Sequence, residues 1–470
     1  MQMNLLKYVG ENRRYLPSIL WVLRFLNLVA VVVIIYFGIA ITEKAAADTN
    51  INSIIWFIWW PFIAFQVIFA ARLWCSMCHL RLIADTFDRF GLNLKVPQWV
   101  IKYGTTIPVF AIIAIFVLHS MVVSYEVNHF AHLTAIYLII LAVYAASVGL
   151  LFERHAFCKY FCPLIGVLGN YTRVSPTELR SADAETCRQC RDKECVKNCQ
   201  NKLYMGTMDD QQQENCLLCM RCVKHCPKNN IRFSFRPFLK GLWNSPKRTI
   251  SGTLAVSVML GILIGEVGEE WEVVDKFILT VPAFLGDLTG FERIFSISAE
   301  QGFLIWESIW LFIIQPLIIL GICGAAAWVF AGKRSAVEYI KIYALGFIPL
   351  ILSLHITKLF IKFNANVLYL PYIASDPYGV ATAQAIANGT LAKPSALFVS
   401  GSLEGWLLLA FVAVFGLIGS LYVTQKISKT SFADNPGDGL KSSIPFFFMI
   451  TFVGVIFILT IYNWRIVGGG

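Results

Sequence analysis

Nine apolar runs, each long enough to cross a lipid bilayer, constrain the fold of this 470-residue chain more than any other feature. Because unpaired backbone groups are costly in hydrocarbon, such runs must form helices that satisfy their own hydrogen bonds. Only 14% of the residues are charged, well below the share of about 25% in soluble domains. The sequence therefore predicts an all-α polytopic membrane protein with about nine transmembrane helices. The runs lie near residues 16–40, 53–71, 106–125, 132–151, 249–266, 303–331, 340–362, 404–424 and 444–463.

The distribution of basic residues predicts the orientation in the bilayer. Lys and Arg cluster before the first run and after the second, fourth, sixth and eighth runs, which share one face if nine spans alternate. The positive-inside rule makes that face cytoplasmic, in a bacterial inner membrane. The loops expected on the opposite face, 266–300 and 363–403, are acidic or nearly uncharged and long enough to dock a partner such as a cytochrome. The net charge of +10 thus reports orientation and gives no support for nucleic-acid binding.

A cysteine-rich segment follows the fourth run. Residues 216–227 read Cys-x2-Cys-x2-Cys-x3-Cys-Pro, the spacing of a bacterial two-cluster ferredoxin, and residues 187–199 read Cys-x2-Cys-x4-Cys-x3-Cys. In that arrangement the outlying fourth cysteine of each run reaches the other cluster. CxxC pairs also bind zinc, but the interleaved triplets and the Cys-Pro end favour iron–sulfur. We assign one [4Fe–4S] cluster to Cys187, Cys190, Cys195 and Cys226, and the other to Cys216, Cys219, Cys222 and Cys199.

These patterns predict three domains. Residues 1–170 form a four-helix membrane core with Cys motifs at its cytoplasmic ends, and residues 246–470 form a C-terminal membrane domain of about five helices. Between them, residues 171–245 form an inserted cytoplasmic ferredoxin-like domain with two [4Fe–4S] clusters. That segment has no long apolar periodicity, so its clusters must supply much of its folding energy.

A second cysteine group is open to three interpretations. Cys75 and Cys78, followed by His79, come after the second run, and Cys158 and Cys162 come after the fourth. Both motifs fall at cytoplasmic helix ends, so their four thiolates could hold a third cluster. The CxxCH motif is also the attachment signature of c-type haem, with His79 as axial ligand, although that attachment occurs on the opposite membrane face. The remaining interpretation is that these cysteines are buried packing residues.

The turn after the fourth run resembles that of a known family. Residues 157–166 read Phe-Cys-Lys-Tyr-Phe-Cys-Pro-Leu-Ile-Gly, and together with the ferredoxin spacing they resemble the NapH/NosR group of membrane polyferredoxins, and more distantly CcoG. The resemblance covers residues 1–245 and implies electron exchange between the quinone pool and a respiratory or periplasmic reductase system. The chain departs from the family pattern at Cys75-x2-Cys78-His79, where the family has Cys-x3-Cys-Pro, and at Gln200, which replaces a proline after Cys199.

Polar residues within the apolar runs are candidates for a quinone or haem site, since such groups are expensive in a membrane and usually face a cavity or a partner. The candidates are His119, His132, His355 and Lys358. His355, Lys358 and Lys362 share one helical face. Alternatively, the lysines snorkel to the outer interface.

Taken together, these features predict a membrane iron–sulfur electron-transfer protein. It would pass single electrons between a membrane quinone or haem site and the cytoplasmic clusters, as a subunit of a quinone-linked respiratory oxidoreductase that binds other redox subunits. One alternative is an assembly factor that reduces a metal such as copper for another enzyme. Another is a redox-gated transporter whose translocating half is 249–470.

Overall fold

Helices make up most of the described chain. Six of them are long and apolar enough to cross a membrane, which confirms a predominantly helical, multi-pass membrane protein. They are Leu16–Ala40, Ala131–Leu151, Ala299–Ala331, Ala336–Ser375, Leu403–Ser431 and Pro436–Tyr462. The computed structural model describes residues 14–41, 49–103, 131–153, 155–209, 212–244, 250–268, 271–290, 292, 294, 297–394, 396–398 and 402–467.

The other three predicted runs have different outcomes. The runs at 53–71 and 249–266 form the shorter apolar helices Ile55–Ala70 and Gly252–Gly268. The run at 106–125 lies outside the described residues. The total of nine spans therefore stays a prediction.

The chain divides into two compact units. The first unit comprises residues 1–35, 63–108 and 136–247, and the second unit comprises residues 36–62, 109–135 and 248–470. The cysteine-rich segment thus clusters with most of the first run and with the residues that follow the second and fourth runs. The helices between the second and fifth runs, besides Ala131–Leu151, are Leu73–Met77, His79–Phe87, Gln98–Tyr103, Ile165–Thr172, Ala184–Arg188, Glu194–Lys197, Arg221–Lys224 and Lys240–Trp243.

A two-stranded antiparallel sheet closes the cysteine-rich segment. Strand β1 (Thr177–Ser181) pairs with strand β2 (Ile231–Phe235), with Thr177 opposite Phe235 and Ser181 opposite Ile231. Leu179 and Ile231 are buried on the sheet and pack in one core with three of the cysteines. Because the strands flank residues 182–230, their pairing brings both ends of the cysteine-bearing stretch together.

Both predicted outer loops of the second unit contain helices, and their place outside the membrane stays a prediction. Residues 266–300 include the helix Glu272–Thr289, which Gly290 ends in the left-handed conformation at φ +56°. Residues 363–403 include Val380–Ala387. Charged residues along Glu272–Thr289, and the shortness and small residues of Val380–Ala387, hide these helices from a search for long apolar runs. The helices that follow residue 249 are Ile250–Gly268, Glu272–Thr289, Ala299–Ile309, Gln315–Ala331, Ala336–Tyr343, Ile348–Asn366, Leu370–Ser375, Val380–Ala387, Leu403–Ser431 and Pro436–Val467.

Candidate metal centres

The structure brings Cys187, Cys190, Cys195 and Cys226 together in the first unit. Burial raises the pKa of Cys195 to about 11, and the thiols of Cys226, Cys187 and Cys190 add to the rise. Burial likewise raises the pKa of Cys187, with further contributions from Cys226 and Cys190. Cys226, which is remote from these cysteines in sequence, therefore lies near them in the fold.

Cys199 joins the downstream cysteines. Burial raises the pKa of Cys216 to about 12, and the thiols of Cys219 and Cys199 raise it further. Burial also raises the pKa of Cys222 well above its usual value, followed by the effects of Cys216, Cys219 and Cys199, with a smaller effect from Cys195 of the first set. The two sets are crossed, as the spacing predicts for a two-cluster ferredoxin, and they interact with each other. That they hold iron stays a prediction.

Hydrogen-bond donors point at the sulfur atoms of both sets. The backbone N–H of Asn230 donates to Cys226 Sγ at 3.2 Å, and its side-chain Nδ2 donates to Cys187 Sγ at 3.2 Å. In the other set the N–H of Leu203 donates to Cys199 Sγ at 3.4 Å. Hydrogen bonds to cluster sulfurs stabilise their negative charge and tune reduction potential. This donor arrangement fits a thiolate-ligated iron–sulfur group.

A third set joins the two cysteine motifs that are remote in sequence. Burial raises the pKa of Cys162 to about 12, and the thiols of Cys75 and Cys78 add to the rise. Burial raises the pKa of Cys158 well above its usual value; Arg81 opposes this effect, and Cys162 and Cys78 reinforce it. A π-helical turn over Phe157–Phe161 positions Cys158 and Cys162. The four thiols thus lie near one another, and the identity of any group that they bind stays a prediction.

A buried arginine lies beside the third set. Arg72 is 2% exposed and donates to the carbonyls of Cys158 at 3.3 Å and Glu214 at 3.0 Å. Burial would lower its pKa, but the thiols of Cys75, Cys162 and Cys158 outweigh that effect and raise it. A permanently charged guanidinium beside four cysteines fits a centre that is anionic when the thiols are ionised. His79 is also buried, which lowers its pKa to about 4, and its Nδ1 lies 2.7 Å from Asn27 Oδ1.

Single-ion sites give a different result. Within the described ranges, no group of three or more His, Cys, Asp or Glu side chains is placed to hold a single metal ion. The three thiol sets are grouped by the effect that each thiol has on the pKa of its neighbours and by their shared burial.

The candidates within the membrane do not share one partner. His355 lies in the helix Ile348–Asn366 with its ring centre 5.7 Å from that of Trp60, whereas Lys358 Nζ donates to the carbonyl of Glu266 at 2.8 Å. Lys358 is 8% exposed and is therefore buried within the protein. His132 lies at the start of the helix Ala131–Leu151. His119 lies outside the described residues.

Sequence reasoning missed a buried polar network beside the thiol sets. Asp85 Oδ2 lies 3.4 Å from Arg24 Nη1 and 3.7 Å from Arg81 Nε, and Oδ1 lies 2.9 Å from His155 Nδ1. Gln200 Nε2 donates to Asp85 Oδ2 at 3.5 Å. Gln200 is the residue that departs from the family's proline after Cys199, and this contact gives the amide a role that proline cannot fill. The only local signal was the Arg81–Asp85 spacing of i,i+4.

The fold and these sites define a multi-pass membrane protein with three clustered thiol sets in one compact unit. Over 233 residues the chain is 29% identical to a protein of Escherichia coli (strain K12) described as "Putative electron transport protein YccM", covering 44% of this chain and 63% of that protein. Over 78 residues it is 31% identical to "Uncharacterized protein MJ0749" of Methanocaldococcus jannaschii, covering 17% of this chain and 30% of that protein. The matches thus span less than two thirds of either relative. No family model matches the chain. No solved structure matches it either.

The raised pKa values predict slow alkylation of the metal-free protein. The thiolate is the reactive form, and a thiol with a pKa of 11, as for Cys195, carries about 100-fold less thiolate at pH 8 than one with a pKa of 9. Iodoacetamide labelling of Cys195 and Cys216, followed by mass spectrometry, should therefore be slow at pH 8 and increase steeply towards pH 11. Labelling at pH 8 as fast as that of free glutathione would contradict the buried placement of these thiols.

Proposed function

We propose that this chain is a membrane iron–sulfur electron-transfer protein. The crossed grouping of the eight ferredoxin-type cysteines is the observation that carries this proposal, because two interleaved sets of four thiols suit two adjacent [4Fe–4S] clusters. The similarity to an E. coli protein whose name refers to electron transport supports the same role.

The protein's own residues would hold and tune the clusters. Bound [4Fe–4S] clusters supply one-electron redox chemistry, with potentials that depend on hydrogen bonds and nearby charge. Asn230 donates one hydrogen bond to Cys187 and one to Cys226, the two proposed ligands of the first cluster that are farthest apart in sequence. The electrostatic effect of Cys195 on Cys222 places the two sets near enough to act on each other.

We further propose that Cys75, Cys78, Cys158 and Cys162 hold a third cluster. Cys219 of the second set packs against the same core as all four of these cysteines. The three sets would then form a continuous path through the first unit. Arg72 would balance the charge of the third cluster.

We also propose a quinone site within the second unit. His355, close to Trp60, and the buried Lys358 are side chains of the second unit that could bind a quinone ring or carbonyl. In this proposal the clusters face the bacterial cytoplasm, and the chain works as a subunit of a quinone-linked oxidoreductase with other redox subunits or a cytochrome.

Iron analysis and low-temperature EPR of the purified full chain test the proposal. About eight irons per chain and two interacting reduced [4Fe–4S] signals are expected from the ferredoxin segment, and about twelve irons if the third set also holds a cluster. Addition of a reduced quinol to the protein in lipid vesicles should reduce a fraction of the clusters. Stoichiometric zinc in place of iron would overturn the central proposal.

A further inference from the structure

The Asp85 network physically joins the segments that carry the second and third thiol sets. Asp85 lies in the helix His79–Phe87, which begins directly after Cys78. His155 comes three residues before Cys158, and Gln200 comes directly after Cys199. Gln200 Nε2 lies 3.3 Å from His155 Nδ1 and 3.5 Å from Asp85 Oδ2. A change in charge at either set therefore acts on this network over a short path through buried protein, where charges are weakly screened.

The ionisation of Asp85 determines where a proton can bind. Burial opposes ionisation, but the hydrogen bond from His155, then the charge of Arg81, His155 and Arg24, lower the pKa of Asp85 to about 2. The carboxylate is therefore ionised at every physiological pH. An ionised carboxylate can only accept hydrogen bonds, so Nδ1 of His155 carries the hydrogen in the 2.9 Å contact. Protonation of this tautomer to the imidazolium therefore adds its proton at Nε2.

Charges of opposite sign lie around His155. Asp85 favours the protonated imidazole, whereas Arg24 and Arg81, which contact the same carboxylate, oppose it. Arg221 adds a further positive charge that acts on Arg24, and Cys158 acts on Asp85 from the third set. Added negative charge on a cluster held by the thiol sets would favour the protonated imidazole. The His155 backbone is held in the left-handed region at φ +69°, a conformation that is costly for a non-glycine residue and persists where its surroundings impose it.

We propose that His155 is a redox-linked proton acceptor for the second and third thiol sets. The inference rests on the proposed function, because it requires a redox centre at one of these sets. If a quinol delivered one electron to a cluster held by these cysteines, one proton from water would bind His155, and transfer of that electron to an oxidised redox partner would return the proton to water. Asp85 is the positioning residue that accepts the Nδ1 hydrogen and orients the imidazole, and Gln200 donates to the same carboxylate.

Redox titration of the purified full chain at several pH values tests this inference. With dithionite as reductant and EPR as readout between pH 6 and 9, the midpoint potential of at least one centre should fall as pH rises. The slope should approach 59 mV per pH unit where a single proton accompanies a single electron, since a tenfold change in an equilibrium corresponds to about 59 mV for one electron. His155→Asn, which tolerates the left-handed backbone, should abolish that slope and retain the iron.

His225→Gln is the matched control. His225 lies in the same unit beside Cys226, and its variant should keep the pH slope. Proton uptake by the unmodified protein on reduction, measured with an indicator dye in weak buffer, tests the coupling without any variant. Potentials that do not change with pH and no proton uptake would overturn the inference while leaving the clusters intact. A full slope in iron-loaded His155→Asn would overturn the role of His155. Protein without iron would instead overturn the proposed function, and the inference with it.

Discussion

Cys187→Ser and Cys226→Ser are expected to remove the same cluster, although the two residues are 39 positions apart in the chain. Each change deletes one of four thiolates around one proposed cube, because Cys226 lies with the upstream set. Each variant should lose up to about four irons per chain and the same EPR signal. Cys199→Ser and Cys216→Ser should both remove the other signal. Iron analysis and EPR of the four purified variants measure this pattern.

The control for this series is Cys323→Ser. Cys323 is buried in the span Ala299–Ala331, where its thiol contacts the carbonyl of Pro445 at 3.8 Å. Its replacement should leave the iron content and both signals unchanged. If Cys226→Ser lost the same signal as Cys216→Ser, the clusters would be uncrossed and the assignment would be wrong.

Asp85→Ala is expected to destabilise the protein by about 3–5 kcal/mol, because it leaves two buried guanidinium groups without their shared carboxylate. Arg24 is 4% exposed and Arg81 is 1% exposed, so bulk water has little access to solvate their guanidinium groups after the carboxylate is removed. The change should appear as a large fall in the Tm of detergent-purified protein, followed by tryptophan fluorescence. Asp192→Ala removes an exposed carboxylate in the same unit and should change stability by no more than about 0.5 kcal/mol. Equal shifts in the two variants would contradict a stabilising role for the buried network.

The pH dependence of this contribution has a definite sign. The pKa of Asp85 in the folded protein, about 2, lies below its ordinary value of 3.8. Its ionised form is therefore favoured by folding, and its contribution to stability is fully present above the ordinary value. The contribution is lost as pH falls from about 4 through 2. The difference in Tm between the unmodified protein and Asp85→Ala should accordingly narrow in that range.

The helical membrane architecture could be predicted because hydrocarbon imposes a simple rule on apolar runs. Eight of the nine predicted runs coincide with described helices, two of them shorter than expected. The amphipathic helix Glu272–Thr289 was missed for the same reason, since a rule based on continuous apolarity does not detect a helix with mixed faces. Lys358 was open to two interpretations until its contact with the carbonyl of Glu266 showed that it is buried.

The sequence alone predicts that Cys226 pairs with Cys187, because cysteine spacing in a ferredoxin segment reflects the geometry of its ligands. It was also enough to suggest that the Cys75 and Cys158 motifs meet, since both follow apolar runs that end on one predicted face. Only the tertiary structure joined Asp85, His155 and Gln200. These are single polar residues in three separate segments, and no repeat or spacing in the sequence marks them. They contact one another because buried polar and charged groups in a folded chain are stable only with hydrogen-bond partners.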